Sequence, residues 1–217
     1  MNISDSVLKA HLGNVLWIGG AACGGKTTIT DILATKHGLL AYHPEDEAHY
    51  LRHKQIACEQ DHPAMLRPFL GWEWFFNRSI DEYASAVIDS DRERVEMVVL
   101  DTIKLSETAT VVVDAHMLEP DFVGRIAAPD KAIFLFADES TLRQTMFARE
   151  DKQDILGVIN ALEDPDKTRE HVLDVSCEVA ARKLEQVKAS GLRYVVRDRT
   201  STVEGTLSLV EEHFGLS

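Results

Sequence analysis

The apolar positions of this 217-residue chain fall into short runs separated by helical stretches. Val15-Leu16-Trp17-Ile18 is a continuous apolar run that ends in glycines, the pattern of a buried strand. Lys26 to His37 then reads as a helix stopped by Gly38, and Leu39 to Tyr42 as a second short strand. Glu45 to Ala57 is helical in pattern with acids in its first turn, and 58–70, with Pro63 and Pro68, reads as irregular. From Gly71 to about Leu105 the periodicity predicts two helices broken near Asp89-Ser90-Asp91. Thr110 to Asp114 and Lys131 to Phe136 are strongly strand-like, and a helix is expected from about Glu139 to Glu150. A long helix from about Pro165 to Ser190 stops at Gly191. Leu192 to Val196 gives the last strand, and Val203 to Phe214 the closing helix. Five apolar strands alternating with helices imply an α/β fold whose parallel sheet is covered on both faces.

The first strand leads into Gly20-Ala21-Ala22-Cys23-Gly24-Gly25-Lys26-Thr27, which fits G-x-x-x-x-G-K-[ST] at every fixed position. Strand, loop and helix follow in the order this motif requires. Its glycines let successive N–H groups turn inward around phosphates, and the following helix aims its positive dipole end at the same anion. Lys26 would reach the outer phosphates and the Thr27 hydroxyl would hold Mg²⁺. The nucleotide-binding stretch is Gly20, Ala21, Ala22, Cys23, Gly24, Gly25, Lys26, Thr27 and Thr28.

A net charge of −13 disfavours a nucleic-acid surface, which needs basic patches. Three cysteines give no disulfide framework, and no apolar run is long enough to span a membrane. A cytoplasmic protein with no membrane partner is the expectation; the oligomeric state is left open.

With these elements in order, the chain resembles the small P-loop kinases, the group of nucleoside monophosphate kinases, shikimate kinase and chloramphenicol phosphotransferase. The resemblance is sharp at residues 20–27, at 45–47 and at Asp114, and weaker over the arginine-bearing stretch 143–169, where the group carries a lid. It implies a P-loop three-layer α/β/α fold in a single domain over 1–217, with acceptor-binding helices in 58–105. It also implies ATP with Mg²⁺ as phosphoryl donor and a small molecule as acceptor. Asp114-Ala115-His116-Met117 departs from the glycine-and-arginine signature of nucleoside monophosphate kinases, which argues against a nucleotide acceptor. No Asn-Lys-x-Asp motif reads guanine, and no cysteine set suits a zinc-bearing lid.

Asp114 ends three valines, at the sheet edge where open α/β sheets bind ligands, and is expected to support Mg²⁺ beside Thr27. Glu45-Asp46-Glu47 lies at the same edge. One of these acids could orient an acceptor hydroxyl, or they could merely complement a helix dipole. Asp46 is the choice the resemblance implies. Arg149 is the expected lid arginine, with Arg143, Arg169 and Arg182 as further candidates. Catalysis is thus assigned to Lys26, Asp46 and Arg149. His49 and His53 have metal-ligand spacing but no further ligands, so a solvated histidine face is expected. Trp72, Trp74, Phe75 and Phe76 read mainly as core, with one edge near Arg67 or Arg78 available to an acceptor. The contrasting expectation is a nucleotide-binding regulator that hydrolyses ATP slowly or not at all.

Overall fold

The computed structural model describes residues 3–216. After a short helix α1 (Asp5–His11) come β1 (Val15–Gly20), α2 (Lys26–His37), β2 (Leu40–Tyr42) and α3 (Glu47–Ile56). Two helices, α4 (Trp72–Phe76) and α5 (Ile80–Ser106), precede β3 (Val111–Asp114) and α6 (Pro120–Ile126). The remainder is β4 (Ala132–Ala137), α7 (Glu139–Thr145), α8 (Gln153–Asn160), α9 (Pro165–Ser190), β5 (Arg193–Arg197) and α10 (Val203–Phe214). The five strands form one parallel sheet in the order β2-β3-β1-β4-β5.

Alternation along the central strands divides the core into two faces. Val15 and Trp17 of β1 join Val111, Val113, Phe134 and Phe136 under α5, α6 and α9. Leu16 and Ile18 join Val112, Ile133 and Leu135 under Ile29 and Leu33 of α2 and Val210 and Phe214 of α10. Helices therefore cover both faces, giving the three-layer α/β/α arrangement of a P-loop fold. The outer strand β5 departs from the expected two-sided burial. Its Tyr194 and Val196 are exposed, because β5 lies at the sheet edge beyond the helices' cover.

The expected break near Asp89-Ser90-Asp91 is absent: α5 runs unbroken for 27 residues. Its start is fixed by a capping box, in which Ser79 accepts from the Glu82 amide and Glu82 accepts from the Ser79 amide. A buried stripe at Ala84, Ile88, Asp91, Val95, Val98 and Thr102 then continues straight through the polar triplet. Asp91 is tolerated there because His116 and Lys183 meet its carboxylate. The interruption falls instead at Asn77-Arg78-Ser79, between α4 and α5. The helix expected up to Glu150 ends at Thr145 and is continued by short 3₁₀ turns at Met146–Ala148 and Glu150–Lys152. Three elements had no sequence expectation: α1, α6 and α8.

Strand order locates the ligand crevice. The connection from β1 passes over β3 to reach β2, whereas that from β3 passes over β1 to reach β4. The chain thus leaves the carboxyl ends of adjacent β1 and β3 in opposite directions, which opens a crevice between them.

Candidate phosphate and acceptor site

The phosphate loop is shaped by its closeness to β4. The Ala21 amide donates to the Leu135 carbonyl at 3.2 Å. A Cβ on Gly20 would stand 1.9 Å from that carbonyl oxygen, and one on Gly24 2.3 Å from it, so no side chain fits at either position. Gly25 differs: nothing crowds its missing Cβ, but its φ of +91° is the left-handed conformation that starts α2. Cys23 adopts φ +60° without being glycine, strain of the kind that persists at functional loops. No side chain caps α2, so its first amides remain available to an anion. Lys26 is buried and folds back over the loop, its ammonium donating to the Ala21 carbonyl at 3.0 Å.

Across the crevice, the Thr27 hydroxyl donates to Asp114 Oδ2 at 2.6 Å. The β1–β3 pairing sets this meeting, with Ile18 opposite Asp114. Asp114 is buried, and its Oδ1 has no hydrogen-bond partner among the described residues. A buried carboxylate oxygen of this kind beside a threonine hydroxyl is a hard-oxygen donor set that suits Mg²⁺ shared with phosphate oxygens. Among the described residues no three His, Cys, Asp or Glu side chains cluster as a self-sufficient metal cage. His43, which drew no notice in the sequence, bridges Asp114 Oδ2 (3.2 Å) and Asp31 Oδ1 (3.0 Å). The bond to Asp114 raises its pKa to about 9 against the opposing effect of burial.

All three acids after β2 are exposed, and Glu45 alone is tied to the turn that follows β3. Asp46 sits at the start of α3, solvent-exposed and without a side-chain cap bond, and Glu47 is exposed in the first turn. Glu45 Oε1 instead accepts from His116 twice, from Nδ1 at 2.5 Å and from the backbone amide at 2.9 Å. Burial pushes the Glu45 carboxyl up, but His116 and the nearby Lys26 charge hold it well below the usual range. His116 thus favours the carboxylate form of Glu45. Of Glu45, Asp46 and Glu47, it is Glu45 that is bound to the turn after β3. No local signal in the sequence singles out Glu45, because the partner that does so, His116, lies 71 residues away.

Arg149, the expected lid arginine, lies between the two short 3₁₀ turns after α7. It donates through Nε and Nη2 to Asp151 at 2.8 Å each. Burial lowers its pKa, but Asp151 and the adjacent Cys23 thiol raise it overall. The other arginines are held elsewhere. Arg143 is paired with Glu139, Glu170 and Asp174, Arg169 with Asp166 and Asn160, and Arg182 with Asp81 and Glu178.

The expected histidine face is not solvated. His53 is fully buried, Arg94 Nε donates to its Nδ1, and its Nε2 meets Asp101 at 2.9 Å. Burial lowers the His53 pKa, which keeps the ring neutral in this setting. His49 packs edge-on against Tyr42, so the two histidines do not share a ligand. The aromatic knot is mixed: Phe76 is core, while Trp72 is exposed. The Arg78 guanidinium lies 4.5–4.9 Å from the Trp74, Phe75 and Tyr83 rings. A groove of about 550 Å³ opens beside Arg67, Trp74 and Arg78 on α5 residues Glu82, Ser85 and Asp89. At 100° per residue that face of α5 is opposite Asp91, so the groove looks away from Glu45.

No family model matches the sequence, and no curated protein matches it. Two solved structures align along nearly the whole chain. One is an uncharacterized protein from Eubacterium ventriosum: 13% identity, 94% of this chain, 98% of that chain and TM-score 0.40. The other is deoxyadenosine kinase from M. mycoides with bound dCTP: 13% identity, 93% of this chain, 98% of that chain and TM-score 0.43. Fold assignment rests on the sheet order and phosphate loop rather than on these overlays. No helix among the described residues is long and apolar enough to cross a membrane.

Proposed function

We propose that the protein is an ATP-dependent phosphotransferase that passes the γ-phosphoryl group to a hydroxyl of a small acceptor. The observation that carries this reading is the Glu45 carboxylate bound to His116, two residues past the Asp114 that meets Thr27 of the phosphate loop. Loop amides and Lys26 hold the phosphates, and Arg149 adds positive charge from the segment after α7. Thr27 and Asp114 would hold Mg²⁺, whose chemistry here is neutralisation of phosphate charge. Glu45 orients the acceptor hydroxyl and receives its proton as the new P–O bond forms and the bond to ADP breaks. A nucleotide-binding regulator needs the loop but has no use for such a carboxylate.

The test is ADP formation from Mg-ATP in the presence of separate panels of sugars, polyols, nucleosides and amino alcohols. At least one panel should raise ADP formation well above basal hydrolysis, with a phosphorylated product visible by mass spectrometry. Glu45→Gln should remove that increment and leave ATP affinity within about twofold. ADP formation indifferent to every panel, and to Glu45→Gln, would instead support the regulator.

A further inference from the structure

A line of charged side chains runs from Glu45 into the middle of α9. His116 Nδ1 meets Glu45, and its Nε2 meets Asp91 Oδ1 at 3.1 Å. The other Asp91 oxygen, Oδ2, accepts from Lys183 Nζ at 3.0 Å, and the same ammonium donates to the His116 carbonyl. Lys183 is 1% exposed, and Asp91 is buried in mid-α5. Removing an ammonium and a carboxylate from water at the centre of two long helices is costly, and hydrophobic side chains of similar size would pack there at less expense. Glu45, by contrast, belongs to a loop and its side chain is 43% exposed, so left alone it would sample several rotamers.

We propose that His116, Asp91 and Lys183 are a positioning unit that fixes the Glu45 carboxylate for transfer; this rests on the phosphotransferase reading. Both His116 contacts fall on Glu45 Oε1, which assigns Oε2 to the acceptor hydroxyl. Asp91 sets the orientation of the ring, and Lys183 fixes both Asp91 and the backbone that carries His116. Rotamer freedom at Glu45 is thereby removed before substrate arrives, the kind of preorganisation on which transfer depends.

The test compares Glu45→Gln, His116→Gln and the double variant Asp91→Asn/Lys183→Met with the full-length protein. The double variant removes both buried charges together and so strands neither. ATP turnover is measured with water and with each acceptor panel, alongside Mg-ATP affinity by calorimetry and thermal melting. His116→Gln and the double variant should each lower turnover tenfold or more, with the KM for ATP within about twofold. Adding His116→Gln to Glu45→Gln should bring little further loss, because His116 acts through the Glu45 carboxylate. Losses that multiply, or a His116→Gln protein with undiminished turnover, would overturn the proposal. If the double variant fails to fold, His116→Gln decides alone, since this residue lies at the crevice surface. Undiminished turnover in Glu45→Gln would overturn the phosphotransferase reading itself. A Glu45→Gln loss without a His116→Gln loss would overturn only the positioning unit.

Discussion

At the scale of single residues, the phosphate loop separates into positions set by space and positions set by charge. Gly24 is a matter of space: Gly24→Ala would drive a methyl group into the Leu135 carbonyl, so the loop must leave β4. The variant should both melt earlier and lose Mg-ATP affinity, which calorimetry and a thermal melt on one preparation would show together. Lys26 is a matter of charge. Among the described residues its ammonium has one hydrogen-bond partner, the Ala21 carbonyl, so Lys26→Ala should abolish measurable ATP turnover while the melting temperature moves by little. An unchanged affinity and turnover would remove the nucleotide site from the interpretation. The acids after β2 give the sharpest contrast. Glu45→Gln should reduce transfer by roughly 10²–10⁴-fold, the usual worth of a positioned base, whereas Asp46→Asn should scarcely change it. Equal effects in single-turnover assays would show that neither carboxylate is special. The loop could be read from the sequence because four fixed residues at fixed spacing encode it locally. The choice among Glu45, Asp46 and Glu47 could not, since only the crossing of β3 brings His116 to one of them.

At the scale of elements, the strands were legible where an apolar run is buried on both faces, as in Val111 to Val113 and Ile133 to Phe136. The polar triplet in α5 misled for a physical reason: Asp91 is partnered from α9 and from the turn after β3, 92 and 25 residues away in the chain. Local pattern cannot contain such partners. The same holds for Asp101, which joins three elements. Its carboxylate accepts from Tyr42 of β2 at 2.7 Å and bonds Arg52 and His53 of α3. Arg94 completes the junction by donating to His53 and to the Pro44 carbonyl, directly ahead of Glu45. Asp101→Ala should cost about 3 kcal/mol or more, because Tyr42 and His53 would be left buried without their acceptor. Denaturant unfolding would measure this directly. Asp101→Asn, which can still accept from Tyr42, should lose less; equal losses would place the value of this junction in charge alone.

At the scale of the whole molecule, two electrostatic tendencies oppose one another as pH falls. The chain carries a net charge of −13 at neutral pH with a pI near 5.1, so protonation between pH 7 and 5 relieves self-repulsion and favours the compact state. Against this stand buried carboxylates whose partners exist only in the fold. Burial pushes Asp91 up, yet His116 and Lys183 bring it from 3.8 down to about 2. Burial likewise opposes Asp101, and its bonds to Arg52, Tyr42 and His53 lower it to about 2. A carboxylate depressed in the folded state contributes stability that is fully present above its unfolded pKa and is lost as pH falls through the folded value. Both contributions are therefore intact above about pH 4 and drain away toward pH 2, and for Asp91 the amount is about 2 kcal/mol. The relief of repulsion is largely complete by pH 5, before this loss begins. Melting temperature should accordingly be greatest near pH 5 to 6 and fall steeply below pH 4. Asp101→Asn should lie below the parent protein at pH 6 and converge on it toward pH 2, because its carboxylate has no stability left to lose there. Parallel curves across that range would mean that these buried carboxylates titrate alike in the folded and unfolded chain, and that acid unfolding has another origin.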